Sequence, residues 1–147
     1  IGYAQSNRER YEGFCQALTD AGKKVDSSLC LTTPLGIDTY REEIDTFLSS
    51  LSRMPDAFVC ASDYVACILM QLLEKRGLRV PEDVAVSGFD NNTEDLLAEH
   101  LTTVQVFNEE LGARLALQIL YRIKYPNTPH EITYLGTNVL YRDSTGD

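Results

Sequence analysis

The chain has 147 residues, 44% hydrophobic and 24% charged, a composition typical of one globular domain large enough to bury a core. The formal net charge of −9 argues against this chain alone binding the phosphate backbone of a nucleic acid, which requires a basic surface. No apolar run reaches the length of a membrane span, and no signal peptide is visible. Because the chain opens on an apolar stretch at residues 1–4 without an initiator Met, we expect it to be part of a longer protein.

The first two thirds of the chain alternate between strand and helix patterns. Strands are predicted at residues 1–4, 25–33, 57–61 and 84–88. Amphipathic helices follow the first three: one starts at the capping-box pattern of residues 6–9 and ends near Gly22, one starts at Thr39, and one runs from about Tyr64 to Arg76. This alternation with short connections predicts an α/β fold with a doubly wound, mainly parallel sheet of strand order 2-1-3-4.

The pattern changes after the fourth predicted strand. Residues 101–106 are strand-like, and a long helix is predicted over residues 107–124. Apolar side chains repeat along one face of that helix, at Phe107, Leu111, Leu115, Ile119 and Ile123. After a loop, residues 131–145 are expected to add one or two closing strands.

Polar side chains stand at the carboxyl ends of the predicted parallel strands, where open α/β sheets bind ligands. These strand ends are residues 5–6, 32–35, 62–63 and 89–92. They carry hydroxyls, carboxylates and amides, without a cluster of Lys and Arg or a glycine-rich phosphate loop. The pattern therefore favours a neutral polyhydroxyl ligand over a nucleotide.

The candidate residues also have purely structural interpretations. Asp63 is favoured as a helix N-cap, residues 90–92 are compatible with a simple turn, and Arg10 with a solvated helix charge. The four cysteines lack metal-ligand spacing, which favours small buried side chains in a reducing compartment over a disulfide or a metal site. We predict no metal and no cofactor.

An enzyme is one alternative to a binding protein. A triad of Cys60 or Cys67 with His100, or of Ser62 with Asp90 and His100, can be drawn from the sequence. Neither has a nucleophile elbow or an activating neighbour at the required spacing, so catalysis is disfavoured.

Four segments of the chain, in this order and at this spacing, form a pattern that is typical of one protein family. They are RYEGFCQAL at 10–18, DAFVCASDYVACILMQLLEKRGLRVPEDVAVSGFDN at 56–91, LTTVQVFNEELGARLALQIL at 101–120 and VLYRDST at 139–145. They resemble the effector-binding region of the lactose/galactose repressor family of bacterial transcription regulators, over nearly the whole chain. Periplasmic sugar-binding proteins share the fold, but the RVPEDV, GFD and terminal R-x-S-T patterns favour the repressor branch.

The resemblance implies a two-lobed, periplasmic-binding-protein-like region behind an N-terminal helix-turn-helix. Residues 1–102 would form the C-terminal lobe, residues 103–130 would cross a hinge and add a helix to the N-terminal lobe, and residues 131–147 would return. The DNA-binding domain would be absent from this chain. The implied protein is a cytoplasmic homodimer in which a sugar or sugar derivative alters the affinity for operator DNA.

The resemblance also implies roles for single residues. Arg10 matches the arginine that reaches the bound effector, and Asp90 matches the aspartate that accepts sugar hydroxyls. Ser62 stands where relatives often have Asn or Asp, and Thr33 lies where several relatives place an aromatic ring against the ligand. Asn92, from the same strand end as Asp90, completes the predicted effector site.

The chain departs from the family pattern at two places. No aromatic residue occupies positions 33–35, and the loop between residues 4 and 8 is shorter than expected. A periplasmic sugar-binding protein of a transport system is the alternative. A signal peptide upstream would favour it, and an upstream helix-turn-helix would exclude it.

Overall fold

The computed structural model describes residues 5–33, 36, 38–92 and 96–146. Its helices are α1 (Gln5–Asp20), α2 (Tyr40–Ser50), α3 (Asp63–Lys75) and α4 (Asn108–Lys124). Its strands are β1 (Ala57–Val59), β2 (Ala85–Ser87), β3 (Thr103–Gln105) and β4 (Asn138–Leu140). Short 3-10 turns lie at Ser27–Leu29, Leu96–His100 and Asp143–Thr145.

The sheet is parallel at its centre. β1 pairs with β2 in parallel, with Ala57 opposite Ala85. Past the end of β2, an isolated parallel bridge joins Asp90 to Gln105 of β3. β3 then pairs with β4 in the antiparallel sense, where the chain returns after α4. This arrangement confirms the predicted α/β class with a parallel sheet.

The predicted strand order is only partly described. The parallel pairing of the third and fourth predicted strands is confirmed by β1 and β2. The first predicted strand, residues 1–4, lies outside the described residues, so its central place stays a prediction. The second predicted strand is wrong at its middle, because Ser27–Leu29 form a 3-10 turn. The Asp26 carboxylate accepts from the Ser28 N–H at 2.9 Å and from the Ser28 hydroxyl at 2.6 Å, and this local turn competes with a strand.

The predicted helices are confirmed, with small differences at their ends. After α1 ends, Gly22 adopts a φ of 69°, the left-handed conformation that glycine tolerates best. α2 begins directly after Thr39, and α4 begins at Asn108, one residue later than predicted. None of the helices in the described part of the chain is long and apolar enough to cross a membrane.

The hydrophobic core lies around α3 and β2. Its largest fully buried apolar side chains are Leu73, Val84, Val86 and Leu101. α2 packs against this core, and a 2.6 Å ion pair between Arg76 and Asp45 ties α3 to α2. Because α3 starts four residues after β1 ends, its N-terminus lies at the carboxyl edge of the parallel strands. This is the edge at which α/β sheets bind ligands.

The described part of the chain buries no face of α4, including its predicted apolar stripe. α4 has no buried residue, and Leu115, Ile119 and Ile123 are 59%, 53% and 72% exposed. An apolar stripe of this kind normally packs against another element.

Candidate functional site

Arg10 and Asp90 meet at the carboxyl edge of the sheet. Arg10 Nη2 lies 3.6 Å from Asp90 Oδ1, and Arg10 Nη1 donates a 2.6 Å hydrogen bond to the Ala61 carbonyl oxygen. The two side chains are 27% and 43% exposed, so the pair borders solvent and is open to a ligand. The structure thus brings together the two residues that the resemblance assigns to the bound effector. Their role in effector binding stays a prediction.

The Phe89 ring supports the Arg10 guanidinium. The ring centroid lies 3.7 Å from Arg10 Cζ, a cation–π contact. The guanidinium is therefore held by the ring on one face, by Ala61 at one nitrogen and by Asp90 at the other. The sequence placed Phe89 at a strand end but assigned it no role, because no local pattern reveals a contact between residues so far apart in the chain.

A turn with unusual backbone angles presents Asp90. Asp90 has a φ of 111° and Asn91 a φ of 54°, values that few residues other than glycine adopt, although Asp and Asn do so more readily than most. The Asp90 N–H donates to the Val104 carbonyl at 2.9 Å, and the Asn91 N–H donates to Thr103 Oγ1 at 3.3 Å. Such angles persist only where surrounding contacts impose them. Residues 90–92 can therefore form a turn and still present Asp90 to a ligand.

Asp63 is a buried support of this turn. It is 2% exposed, and its carboxylate accepts from the Thr103 hydroxyl at 2.6 Å and from the Asn92 N–H at 2.7 Å. The interpretation of Asp63 as the helix cap is wrong. Ser62 is the N-cap of α3, because Ser62 has the extended backbone that a cap requires and its Oγ accepts from the Val65 N–H at 3.4 Å.

Gly88 permits the close approach of Asp63 to β2. A Cβ atom at Gly88 would lie 2.1 Å from Asp63 Oδ1 and 2.9 Å from Leu101 Cδ2. A larger residue would therefore displace the carboxylate that holds the turn.

The other predicted site residues are less closely tied to the Arg10–Asp90 pair. The Ser62 hydroxyl is engaged in capping α3, and the Asn92 side chain is exposed while its N–H binds Asp63. Thr33 is exposed in a bend, and none of the site-forming contacts within the described residues involves it. Residues 34–35, the rest of that predicted strand end, lie outside the described residues.

The C-terminal segment of residues 142–145 holds the site from another side. Arg142 Nη2 donates to Asn91 Oδ1 at 2.8 Å. The Ser144 hydroxyl donates to the Val86 carbonyl at 2.6 Å and accepts from the Thr102 N–H at 2.8 Å. In the sequence, the R-x-S-T pattern indicates only the family. Its contact with the Asp90 turn was missed, because the two segments approach each other only in the folded chain.

The charges of the site favour a neutral ligand. Burial raises the pKa of the Asp90 carboxyl, Arg10 lowers it, and the charge of Asp63 adds a smaller rise. Ligand hydroxyls that donate to Asp90 would therefore stabilise a carboxylate that is incompletely solvated. Arg10 is paired with Asp90, and the charge of Asp63 also acts on Asp90, so among the described residues this pair offers no excess positive charge to an anion.

The residues of the enzyme alternative are engaged elsewhere. Burial raises the pKa of the Cys60 thiol to about 12, and the charges of Cys67 and Asp63 add to the rise. Cys60 is therefore a neutral thiol near neutral pH and a poor nucleophile. His100 Nδ1 lies 2.8 Å from Asp143 Oδ2 at an exposed position.

Comparison with known proteins places this geometry in context. A family model described as periplasmic binding protein-like domain matches residues 2–145. Among curated proteins, the chain is 34% identical over 113 residues to the HTH-type transcriptional regulator DegA of Bacillus subtilis, covering 76% of this chain and 33% of DegA. It is also 34% identical over 142 residues to the HTH-type transcriptional regulator CelR of Thermobifida fusca, covering 92% of this chain and 40% of CelR.

Solved structures give the same picture. A transcriptional regulator of the LacI family from Sanguibacter keddieii superposes with a TM-score of 0.81 at 30% identity, over 94% of this chain and 52% of that one. The complex of the regulator CelR with cellobiose superposes with a TM-score of 0.82 at 31% identity, over 92% of this chain and 42% of that one. The chain thus spans about half or less of the proteins that it matches.

Proposed function

The chain belongs to the periplasmic binding protein-like domain family, and we propose that it is the ligand-sensing part of a bacterial sugar-responsive transcriptional repressor. In this proposal, effector binding alters the affinity of the whole protein for operator DNA. The observation that carries the proposal is the Arg10–Asp90 pair, held open to solvent at the carboxyl edge of the sheet.

The relatives favour a regulator over a transport protein or an enzyme. DegA and CelR are named as HTH-type regulators, and the similar solved chains are regulators as well. The resemblance to the lactose/galactose repressor family is thereby confirmed. We infer no catalytic activity, since the Cys60 thiol is protonated and His100 is paired with Asp143 at the surface.

The chemistry of the pair suits a neutral sugar. An ionised Asp90 can accept hydrogen bonds from two adjacent hydroxyls, and Arg10 can donate to a hydroxyl or a ring oxygen. The complex of CelR with cellobiose supports a sugar as the ligand class. Among the described residues, the positive charge that acts on Asp90 is that of Arg10, which Asp90 already balances, and this argues against a phosphorylated sugar.

The wider organisation is part of the proposal. Residues 1–102 would form one lobe, residues 103–130 would reach into a second lobe, and residues 131–147 would return. The open apolar face of α4 supports this division, since a second lobe would cover it. The protein would act in the cytoplasm as a homodimer and contact operator DNA through a helix-turn-helix domain outside this chain.

Calorimetric titration of the complete gene product that carries these residues tests the ligand class. The panel would pair neutral sugars, starting with cellobiose, with the phosphate esters of the same sugars, and adenine would serve as a non-sugar control. We expect a neutral sugar to bind and its phosphate ester to bind more weakly. Tighter binding of a phosphate ester, or binding of adenine alone, would contradict the proposal.

A further inference from the structure

We propose that Arg142 is a positioning residue of the effector site, which holds Asn91 and thereby keeps Asp90 directed at Arg10. The proposal deepens the function proposed above and rests on it for the role of Asp90. Arg142 itself lies outside the predicted set of effector contacts.

Arg142 joins two segments that frame the Asp90 turn. Its Nη2 donates to Asn91 Oδ1 at 2.8 Å, and its Nη1 donates to the Leu101 carbonyl at 2.8 Å. Its backbone N–H donates to Thr102 Oγ1 at 2.8 Å, which anchors the base of the side chain. The planar guanidinium can hold both acceptors in one fixed geometry, which a lysine ammonium cannot do.

The turn requires a contact of this kind. Asp90 and Asn91 both have positive φ; the Val104 carbonyl accepts from the Asp90 N–H, and the Thr103 hydroxyl oxygen accepts from the Asn91 N–H. The contact with Arg142 holds the Asn91 side chain and therefore restricts rotation about the Asn91 backbone bonds. Because Asp90 directly precedes Asn91, this restriction also fixes the direction in which the Asp90 carboxylate points.

The contacts that hold the Asp90 turn come from the two segments that lead into and out of α4. The Val104 carbonyl of β3 accepts from the Asp90 N–H at 2.9 Å. Arg142 follows β4, the antiparallel partner of β3. The turn that carries Asp90 is thus held by both segments, through the Asp90 N–H and the Asn91 side chain.

Hydrogen exchange of single amides tests the proposal in the complete gene product, without any sugar. Arg142→Gln removes the guanidinium, and Asn91→Gly removes its acceptor while a glycine still tolerates the positive φ. We expect the amides of Asp90 and Asn92 to exchange about tenfold faster in each variant, as for the loss of one charge-assisted hydrogen bond. The double variant should exchange no faster than Asn91→Gly alone, because both changes remove the same contact.

The controls separate faster exchange at the Asp90 turn from faster exchange throughout the protein. Asp143→Asn alters the exposed neighbour of Arg142 and should leave the exchange at Asp90 and Asn92 unchanged. The amides of Cys60 and Ala85, which bond to the Ser87 and Asp56 carbonyls between the two parallel strands, should keep the rates of the parent protein.

Three results would overturn the proposal: parent-like exchange at Asp90 and Asn92, additive acceleration in the double variant, or equal acceleration at Cys60 and Ala85. If Arg142→Gln does not fold, Asn91→Gly decides the question, because it leaves the Leu101 and Thr102 contacts of Arg142 in place. Since no sugar is present, a failed sugar screen would count against the proposed function and not against the role of Arg142.

Discussion

The Asp90 carboxylate depends on its neighbours for both its position and its charge. The turn fixes the backbone of Asp90, Arg10 supplies the opposite charge, and partial burial opposes ionisation. For folding, a carboxyl whose pKa is raised favours the folded protein below its unfolded pKa, and this contribution is lost as the pH rises through the folded pKa. A ligand that donates hydrogen bonds to the ionised form would offset that cost.

Sugar affinity should therefore fall in acid. Hydroxyl donors require the ionised Asp90, so affinity should be constant around neutral pH and should decline as the pH drops through the raised pKa. Calorimetric titrations of the bound sugar at decreasing pH would measure the decline. Asp90→Asn should remove most of the pH dependence, whereas an equally steep decline in Asp90→Asn would assign it to another group.

A methyl group added at Gly88 should lower the stability of the folded protein. Gly88→Ala should lower the free energy of unfolding by about 1–3 kcal/mol, because the new Cβ would overlap Asp63 Oδ1. Urea denaturation would measure the loss. Gly13→Ala is the matched control: nothing lies within 4 Å of its added Cβ in α1, so it should be neutral or stabilise by up to about 1 kcal/mol. Equal stabilities for the two variants would show that Asp63 shifts without cost.

At the scale of elements, periodicity predicted the helices because their apolar faces repeat along the chain. It failed where one side chain redirects the backbone, as at Asp26, whose carboxylate closes a 3-10 turn inside a predicted strand. It also placed the cap of α3 on Asp63, since Ser62 and Asp63 are both good caps and only tertiary contacts separate them. The contacts of Arg142 with Asn91 and Leu101 could not be predicted, because these residues come near Arg142 only in the folded chain.

The open face of α4 should make the 147-residue chain associate with itself when produced alone. Exposed apolar stripes of this kind favour association in water. Sedimentation velocity should show oligomers for the parent chain and a shift to monomer when Leu115 and Ile123 are both changed to Glu. Arg114→Glu, which places a negative charge on the polar side of α4, should leave the oligomers intact. A clean monomer for the parent chain would count against this account of α4.

At the scale of the whole molecule, family and fold class could be predicted because segments such as GLRVPEDVAVSGFDN combine specific residues with specific spacing. The rest of the predicted site could not be derived from the residues themselves, since Thr33 was assigned by the family resemblance alone and takes no part in the described contacts of the site. The net charge of −9 argues against operator binding by this chain alone.

The most direct test of the central claim is calorimetry of sugar binding to Arg10→Ala and Asp90→Ala in the complete gene product, with folding verified by circular dichroism. Each variant loses charge-assisted hydrogen bonds worth about 1.5–3 kcal/mol, so affinity should fall roughly ten- to a hundredfold while the fold survives. Arg8→Ala, which removes an exposed ion pair on the same helix, should bind as the parent does. If Arg10→Ala and Asp90→Ala both bind the sugar as tightly as the parent, the site lies elsewhere and the account is contradicted.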